Sequence, residues 1–120
     1  MKTILIVEDV ELNRELLVQL LEDNYRLVLA DDGTTALERA AEAMPDLILM
    51  DLSLPRMDGW QATQKLKADA ALAHIPVIAL SAHAMRSHEE RARASGCNDF
   101  LTKPIDETLL FEKIAGYLGD

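Results

Sequence analysis

Five short apolar runs alternate along this chain with longer segments of helical periodicity. Three runs, at residues 4–7, 47–50 and 77–80, contain no polar residue. Unbroken runs of this length are typical of strands buried on both faces, as in a parallel sheet covered by helices. The other two runs, at residues 25–30 and 100–102, are interrupted or short. We therefore place three strands in the middle of one sheet and two at its edges.

Between the runs, apolar residues recur every three or four positions, which predicts amphipathic helices, five in all. The stripes expected to face the core in the first, second and last helices are Leu12, Leu16, Leu17, Leu20 and Leu21; Leu37, Ala40, Ala41 and Met44; and Leu109, Leu110, Ile114, Tyr117 and Leu118. Parallel neighbours are joined by helical crossovers, so the alternation predicts an α/β fold: a doubly wound, five-stranded parallel sheet with helices on both faces. The expected strand order is the flavodoxin-like 2-1-3-4-5.

Several residues carry the signals of helix ends. Thr35 and Ser87 are each followed by a glutamate after the spacing of a capping box. Gly96 fits the C-terminal cap of the fourth helix, and Asp106 fits the N-terminal cap of the fifth. These positions set the expected limits of the second, fourth and fifth helices.

Three carboxylates follow the first and third apolar runs. Glu8 and Asp9 come directly after the first run, and Asp51 follows the third. In the expected order these two strands are neighbours, and their carboxyl ends form the ligand crevice of such sheets. Carboxylates gathered there repel one another unless a cation enters, and an all-oxygen, partly hydrated site suits Mg²⁺. We expect a magnesium site built on these three residues.

The two remaining strand ends on this side of the sheet add a hydroxyl and a cation. Ser81 follows the fourth run and Lys103 follows the fifth. Metal and ammonium neutralise the oxygens of a phosphoryl group, a hydroxyl donates a hydrogen bond to it, and a carboxylate such as Asp51 accepts it as an acyl phosphate. The acidic turn after the first strand lacks the glycines that cradle a nucleotide or flavin phosphate, which argues against a cofactor carrier.

Size, charge and cysteine content narrow the function further. The 120 residues, 49% of them hydrophobic, suit one domain covering residues 1–120. A net charge of -9 argues against direct binding of nucleic acid or of an anionic membrane surface. The chain has no apolar run of membrane-spanning length, and its single cysteine, Cys97, excludes an internal disulfide. We expect no signal peptide, because Met1 to Thr3 lead directly into the first strand. We expect a cytoplasmic protein.

Four segments together resemble one protein family. They are Ile-Val-Glu-Asp after the first strand, Leu-Met-Asp-Leu-Ser-Leu-Pro-Arg-Met-Asp-Gly after the third, Ala-Leu-Ser-Ala after the fourth, and Phe-Leu-Thr-Lys-Pro near the end. On these motifs the chain resembles, over essentially its whole length, a receiver domain of the two-component response regulators, of the CheY-like kind. The resemblance implies a phosphorylation-activated switch in a phosphorelay rather than an enzyme, although such a domain assists its own phosphorylation and dephosphorylation.

The resemblance assigns a role to each residue at the strand ends. It implies that Asp51 accepts a phosphoryl group from a sensor histidine kinase or a histidine phosphotransfer protein. Ser81 would bind that group, and Lys103 would pair with it. The implied ligands of Mg²⁺ are Glu8, Asp9, Asp51 and the backbone carbonyl of Ser53.

The resemblance also implies a switch and a surface for a downstream protein target. Phe100 falls at the family's switch aromatic, which turns inward when Ser81 moves toward the phosphoryl group. The bond between Lys103 and Pro104 is expected to be cis. The partner surface would be formed by the fourth helix, the fifth strand and the fifth helix. Its candidate residues are Met85, Arg86, His88, Arg91, Phe100 and Tyr117.

Three neighbours of the site depart from the commonest family pattern or vary within it. Val10 follows the acid pair, Ser53 lies shortly after Asp51, and His83 lies shortly after Ser81. Such neighbours can govern how water reaches an acyl phosphate. The lifetime of the phosphorylated state therefore stays open.

Rival functions each lack a residue that their chemistry needs. A haloacid-dehalogenase-like phosphatase would carry a second aspartate where this chain has Ser53, and a hydrolase built on Ser81 would need a G-x-S-x-G turn. A calcium loop starting at Asp51 would need a ligand and a glycine where Pro55 and Arg56 stand. A receiver that signals without phosphate is disfavoured because all the reacting positions are present. The chain can be a single-domain regulator or a domain of a hybrid kinase or longer regulator.

Overall fold

The computed structural model describes residues 1–54, 57–82 and 86–119. Within them, parallel strands form one sheet: β1 Thr3–Val7, β2 Arg26–Ala30, β3 Leu47–Asp51, β4 Val77–Ser81 and β5 Asp99–Thr102. Their spatial order is β2-β1-β3-β4-β5, which confirms the predicted order. Because β1, β3 and β4 have a neighbouring strand on each side and helices on both faces, nearly all of their residues are buried.

Helices connect the strands and cover both faces of the sheet. In the described residues they are α1 Glu11–Leu21, α2 Gly33–Ala43, α3 Gly59–Ala68, α4 Arg86–Ala94 and α5 Glu107–Leu118. Side chains alternate along a strand, so β1 directs Ile4 and Ile6 into a core with α1 and α5, and Leu5 and Val7 into a second core with α2, α3 and α4. Burying each such side chain contributes about 1.5–3 kcal/mol. No helix in the described residues is long and apolar enough to cross a bilayer.

The apolar stripes of the helices are only partly buried, and the sequence-based expectation is wrong at several positions. In α1, Leu17 and Leu21 are buried, whereas Leu12 is 67% exposed and Leu16 is 52% exposed. The other predicted core residues that are exposed are Ala41, Met44, Leu109 and Tyr117. A helix that lies on a sheet buries a strip narrower than these stripes. Residues at the edge of a stripe therefore face away from the sheet.

Two predicted helix starts are also wrong. The N-cap of α2 is Asp32, whose Oδ1 accepts a hydrogen bond from the Thr35 N–H at 2.7 Å. An aspartate that lies earlier in the chain thus satisfies a free N–H group of the first turn, so the helix begins before Thr35. Ser87 lies inside α4 rather than before it. The capping-box spacing alone was therefore not sufficient to locate either helix start.

The two other predicted caps are confirmed. Gly96 has a φ of +107°, a left-handed conformation that favours glycine, and it follows the end of α4. Asp106 precedes α5, and its Oδ1 accepts a hydrogen bond from the Leu109 N–H at 3.1 Å. These caps determine where the chain leaves α4 for β5 and where it enters α5 from the edge of the sheet that carries the acidic residues.

Candidate functional site

The carboxyl ends of β1 and β3 bring three carboxylates together. One oxygen atom from each of Glu8, Asp9 and Asp51 lies within 4.8 Å of the others. Glu8 is fully buried and Asp51 is 3% exposed, whereas Asp9 is exposed to solvent. The two strands pair in parallel with Val7 opposite Met50, so the residues that follow lie at the same edge of the sheet. The acidic cluster is thus buried on one side and open to water on the side of Asp9.

Lys103 reaches this cluster from the connection between β5 and α5. Its Nζ lies 2.7 Å from Glu8 Oε1 and 3.5 Å from Asp51 Oδ2. The peptide bond between Lys103 and Pro104 is cis, and the Lys103 N–H donates to the carbonyl oxygen of Ser81 at 2.7 Å. Burial by itself would lower the pKa of the Lys103 ammonium, but the hydrogen bond to Glu8 and the charges of Asp51 and Glu8 outweigh burial and raise that pKa. Lys103 is therefore a fixed cation in the site.

Hydrogen bonds from nearby in the chain orient the acidic residues. The Ser53 N–H donates to Asp51 Oδ1 at 3.1 Å, and the Val10 N–H donates to Glu8 Oε2 at 3.2 Å. Arg14 of α1 donates from Nη1 to the backbone carbonyl of Glu8 at 2.9 Å. Arg14 was not among the predicted site residues, since its sequence signal was only its place one turn into α1. These bonds hold both buried carboxylates in position before any ligand binds.

Ser81 lies on β4, the neighbour of β3, and Phe100 lies on β5, one strand further toward the edge of the sheet. Ser81 ends β4, is 1% exposed and pairs in register with Thr102. Phe100 pairs with Ala79, is partly buried, and packs against the core that α2, α3 and α4 share with the sheet. Ser81 thus follows Leu80, the residue that pairs with Asp51, whereas Phe100 lies on the far side of β4; the switching roles of both residues stay predictions. Four residues singled out from the sequence lie outside the described residues: Pro55, Arg56, His83 and Met85.

The remaining candidate partner residues lie on α4 and α5 and differ in their contacts. The Arg86 side chain is 89% exposed. His88 and Arg91, by contrast, both contact Trp60 of α3. On α5, the exposed Tyr117 donates a hydrogen bond to a backbone carbonyl just before β5, at 2.9 Å. Trp60 was not predicted to take part in this surface.

The donor set of the acidic cluster suits a hard divalent cation. The cluster offers carboxylate oxygens, which are the ligands that Mg²⁺ prefers. Three carboxylates against the single ammonium of Lys103 leave an excess of negative charge that a divalent cation would neutralise. The exposure of Asp9 leaves room for the water ligands that Mg²⁺ usually keeps. The residues present therefore fit a magnesium ion.

Known proteins identify the family of this chain. Residues 4–115 match the response regulator receiver domain. The chain is 47% identical over 120 residues to the polar-differentiation response regulator DivK of Brucella anthropi, an alignment that covers 99% of this chain and 98% of that protein. The chain belongs to the response regulator receiver domain family. Members of this family are switches in phosphorylation-dependent two-component signalling, and they are not enzymes in the ordinary sense.

Solved structures share the fold at lower sequence identity. The receiver domain of a sensor histidine kinase from Pseudomonas aeruginosa, which has a magnesium ion coordinated in its active-site cleft, matches with a TM-score of 0.91 at 34% identity, over 99% of this chain and 98% of that one. The chemotaxis response regulator CheY4 of Vibrio cholerae matches with a TM-score of 0.91 at 25% identity, over 98% of this chain and 99% of that one. This chain is therefore similar both to receivers attached to kinases and to chemotaxis response regulators.

Proposed function

We propose that this chain is a phosphorylation switch in which Asp51 accepts the phosphoryl group, with Mg²⁺ bound beside it. The observation that carries the proposal is the contact of one cation, Lys103, with two buried carboxylates, Glu8 and Asp51, at an edge where solvent still reaches Asp9. Fixed positive charge beside a buried carboxylate stabilises the negative charge that a phosphoryl group brings. A solitary surface aspartate has no such support.

In the proposed reaction a carboxylate oxygen of Asp51 attacks the phosphorus atom of a phosphohistidine. A P–O bond forms, the P–N bond breaks, and its electron pair returns to the imidazole of the donor. Lys103 and the Ser81 hydroxyl would hold the phosphoryl oxygens, while the Ser53 N–H keeps the Asp51 carboxylate oriented. Mg²⁺ bound by the three carboxylates and the Ser53 carbonyl would neutralise charge on the transferred group. Water entering from the exposed side would later hydrolyse the acyl phosphate. The domain would therefore assist both its phosphorylation and its dephosphorylation.

An apolar surface next to the site suits the phosphoryl donor. Val10, Leu12 and Leu16 are exposed and are named here the α1 apolar face. A groove of about 360 Å³ lies beside this face, and its lining includes Leu16, Glu8 and Lys103. Apolar area of this kind provides affinity when a partner covers it, and Lys103, which lines this groove, also contacts the proposed phosphoacceptor Asp51. We propose that a sensor histidine kinase or a histidine phosphotransfer protein docks here. We also propose a cytoplasmic location, because the phosphoryl group of a histidine kinase comes originally from ATP.

The downstream protein target is proposed to bind at the β5 edge of the domain, to α4, β5 and α5. Phosphorylation replaces the single negative charge of the Asp51 carboxylate with an acyl phosphate that carries about two negative charges. Ser81 and Phe100 lie on adjacent, paired strands, so a movement of Ser81 toward that charge can reach Phe100. The proposed contact residues in the described part of the chain are Arg86, His88, Arg91, Phe100 and Tyr117.

Intact-mass measurement tests the proposed function. Wild-type protein, Asp51→Asn and Asp23→Asn are incubated with acetyl phosphate, with and without Mg²⁺. Wild type is expected to gain one phosphoryl group only when Mg²⁺ is present, and Asp51→Asn is expected to gain none. Asp23 is exposed just after α1, so Asp23→Asn serves as a matched control that behaves as wild type. An unchanged wild-type mass with Mg²⁺, or a gain by Asp51→Asn, contradicts the proposal.

A further inference from the structure

Two side chains of α4 lie against the only tryptophan of the chain. Trp60 is in the first turn of α3 and is 8% exposed. The Arg91 Cζ lies 4.4 Å from the centroid of its ring, within the range of a cation–π interaction. The ring centroid of His88 is 6.1 Å from that of Trp60, with the planes tilted by 36°. Trp60, His88 and Arg91 are referred to below as the Trp60 stack.

Helix α4 has few other contacts that attach it to the domain. Of its residues Arg86–Ala94, all of them described, only Ala92 is buried. Two of its arginines form ion pairs with glutamates one turn away on the same helix, which do not attach the helix to anything else. Arg93 also reaches the start of β5, but only at long range: Nη1 lies 3.5 Å from the Asn98 carbonyl oxygen and Nη2 lies 3.9 Å from Asp99 Oδ1. The Trp60 stack is therefore a principal side-chain contact between α4 and its neighbours.

Trp60 is the member of the stack that lies nearest to the proposed phosphoacceptor, because it follows Gly59, which packs tightly against the backbone of Asp51. A Cβ added at Gly59, the residue before Trp60, would collide with the backbone oxygen of Asp51 and lie 2.7 Å from the Leu52 Cα. The Gly59 N–H donates to the Leu52 carbonyl at 3.3 Å, and the Gly59 carbonyl accepts from Thr63 Oγ1 at 2.7 Å. Because this packing leaves no free space, a displacement of the Asp51 backbone is passed to the start of α3.

We propose that the Trp60 stack is a latch that holds α4 against α3 and couples α4 to the state of Asp51. The coupling rests on the proposed function, since it needs a phosphoryl group at Asp51. Close backbone packing joins Asp51 to Gly59, whereas a weaker side-chain contact joins Trp60 to α4. When phosphorylation displaces the Asp51 backbone, the start of α3 moves with β3. The contact of Trp60 with His88 and Arg91 is weaker than the backbone packing, so it is the contact that changes.

The holding role is tested without phosphorylation. Hydrogen exchange of the α4 amides and acrylamide quenching of Trp60 fluorescence are compared in wild type, Arg91→Ala, Arg91→Lys and Arg86→Ala. Arg86→Ala removes the same side chain from the first position of α4 together with its exposed ion pair to Glu90, so an effect of Arg91→Ala beyond that of Arg86→Ala reports the contact with Trp60. Loss of a partly exposed cation–π contact is expected to speed exchange and quenching by about two- to five-fold in Arg91→Ala. Arg91→Lys recovers part of this loss. Equal exchange and quenching rates in Arg91→Ala and Arg86→Ala would show that the Trp60 stack does not hold α4.

The coupling is tested by Trp60 emission after incubation with acetyl phosphate and Mg²⁺, on samples whose phosphoryl content is known from intact mass. Phosphorylation is expected to change the emission of wild type, and Arg91→Ala is expected to lose most of that change. A gain in mass without a change in wild-type emission overturns the coupling and leaves the proposed function intact. No gain in mass overturns the proposed function and the coupling with it, while the exchange measurement still decides the holding role.

Discussion

Helices α1 and α4 lie on opposite faces of the sheet, and they are attached to it in different ways. α1 places Leu17 and Leu21 in the core and still exposes Leu12 and Leu16. α4 buries only Ala92 among its residues, and two of its exposed arginines, Arg86 and Arg93, pair with glutamates of the same helix. α1 is thus a firmly packed helix with apolar surface left over, whereas α4 is a lightly packed helix with a polar surface.

The difference separates two tasks that a switch must perform. A partner that docks by covering apolar area benefits from a surface that is already fixed. An element that reports a chemical change must instead move at low cost, and lightly packed segments open or shift most easily. The proposed donor surface on α1 and the proposed output surface on α4 follow this division.

The largest expected effect lies within α1. Leu17→Ala should lower the free energy of unfolding by about 2–5 kcal/mol because it leaves a cavity in the core. Leu16→Ala should change it by no more than about 0.5 kcal/mol because that side chain is half exposed. Urea unfolding of both variants measures the contrast. Equal losses of unfolding free energy would mean that Leu16 contributes to the core as much as Leu17 does, and that it is not available as a docking surface.

Leu16→Ala also separates docking from chemistry. Its rate of phosphorylation by acetyl phosphate should equal that of wild type, because the small donor needs no docking surface. Transfer from a phosphorylated histidine protein should be slower, because part of the α1 apolar face is lost. Equal rates with the protein donor would exclude Leu16 from the docking surface.

A smaller effect is expected at the start of α3, where Gly59 packs against the backbone of Asp51. Gly59→Ala should destabilise the protein by about 1–3 kcal/mol, because the added methyl group has no space. Gly116→Ala is the matched control: it lies inside α5 with no atom within 4 Å of an added Cβ, and it should stabilise by about 0.5–1 kcal/mol. Thermal or urea unfolding compares the two. Stabilisation by Gly59→Ala would show that this contact is loose and would remove the path from Asp51 to Trp60.

A pH-dependent effect of about 1 kcal/mol is expected where α4 and α5 meet β5. Asp99 accepts a hydrogen bond from Lys113 Nζ at 2.8 Å, and Arg93 lies 3.9 Å away. Burial by itself would raise the pKa of the Asp99 carboxyl, but the hydrogen bonds from Lys113 and the Phe100 N–H and the nearby positive charges lower it below its ordinary value of 3.8. The stabilisation is therefore present above pH 3.8 and is lost as the pH falls through the lowered pKa.

Asp99→Asn tests this assignment. The free energy of unfolding of the variant should fall below that of wild type at neutral pH, and the difference should shrink on acidification below pH 3.8. Unfolding curves collected across this range give the difference. A gap that stays constant or widens in acid would contradict the charge pairing of Asp99.

The smallest effect is expected from the ion pairs along α4. Arg86 and Glu90 lie 3.2 Å apart, with side chains that are 89% and 67% exposed. Glu90→Gln should therefore lower stability by no more than about 0.5 kcal/mol, and the difference should disappear at high salt. A larger loss that high salt removes would mean that α4 is held by its charges rather than by the Trp60 stack.

The sequence by itself determined the strands, their order and the edge where the acidic residues meet. A strand buried on both faces must be apolar throughout, so residues 4–7, 47–50 and 77–80 identify the middle of the sheet. Parallel strands joined by helices allow few topologies. Glu8, Asp9 and Asp51 then had to lie at one edge, and the structure places them there. Their chemical roles remain predictions.

Only the tertiary structure decided how each helix is rotated and which distant side chains meet. Leu16 and Leu17 are adjacent and equally apolar, yet one is half exposed and the other is buried, because the rotation of α1 depends on what packs against it. The contact of Lys103 with Glu8 joins residues from opposite ends of the chain, and the Trp60 stack joins two helices. No local pattern records such contacts, because they exist only once the elements have packed together.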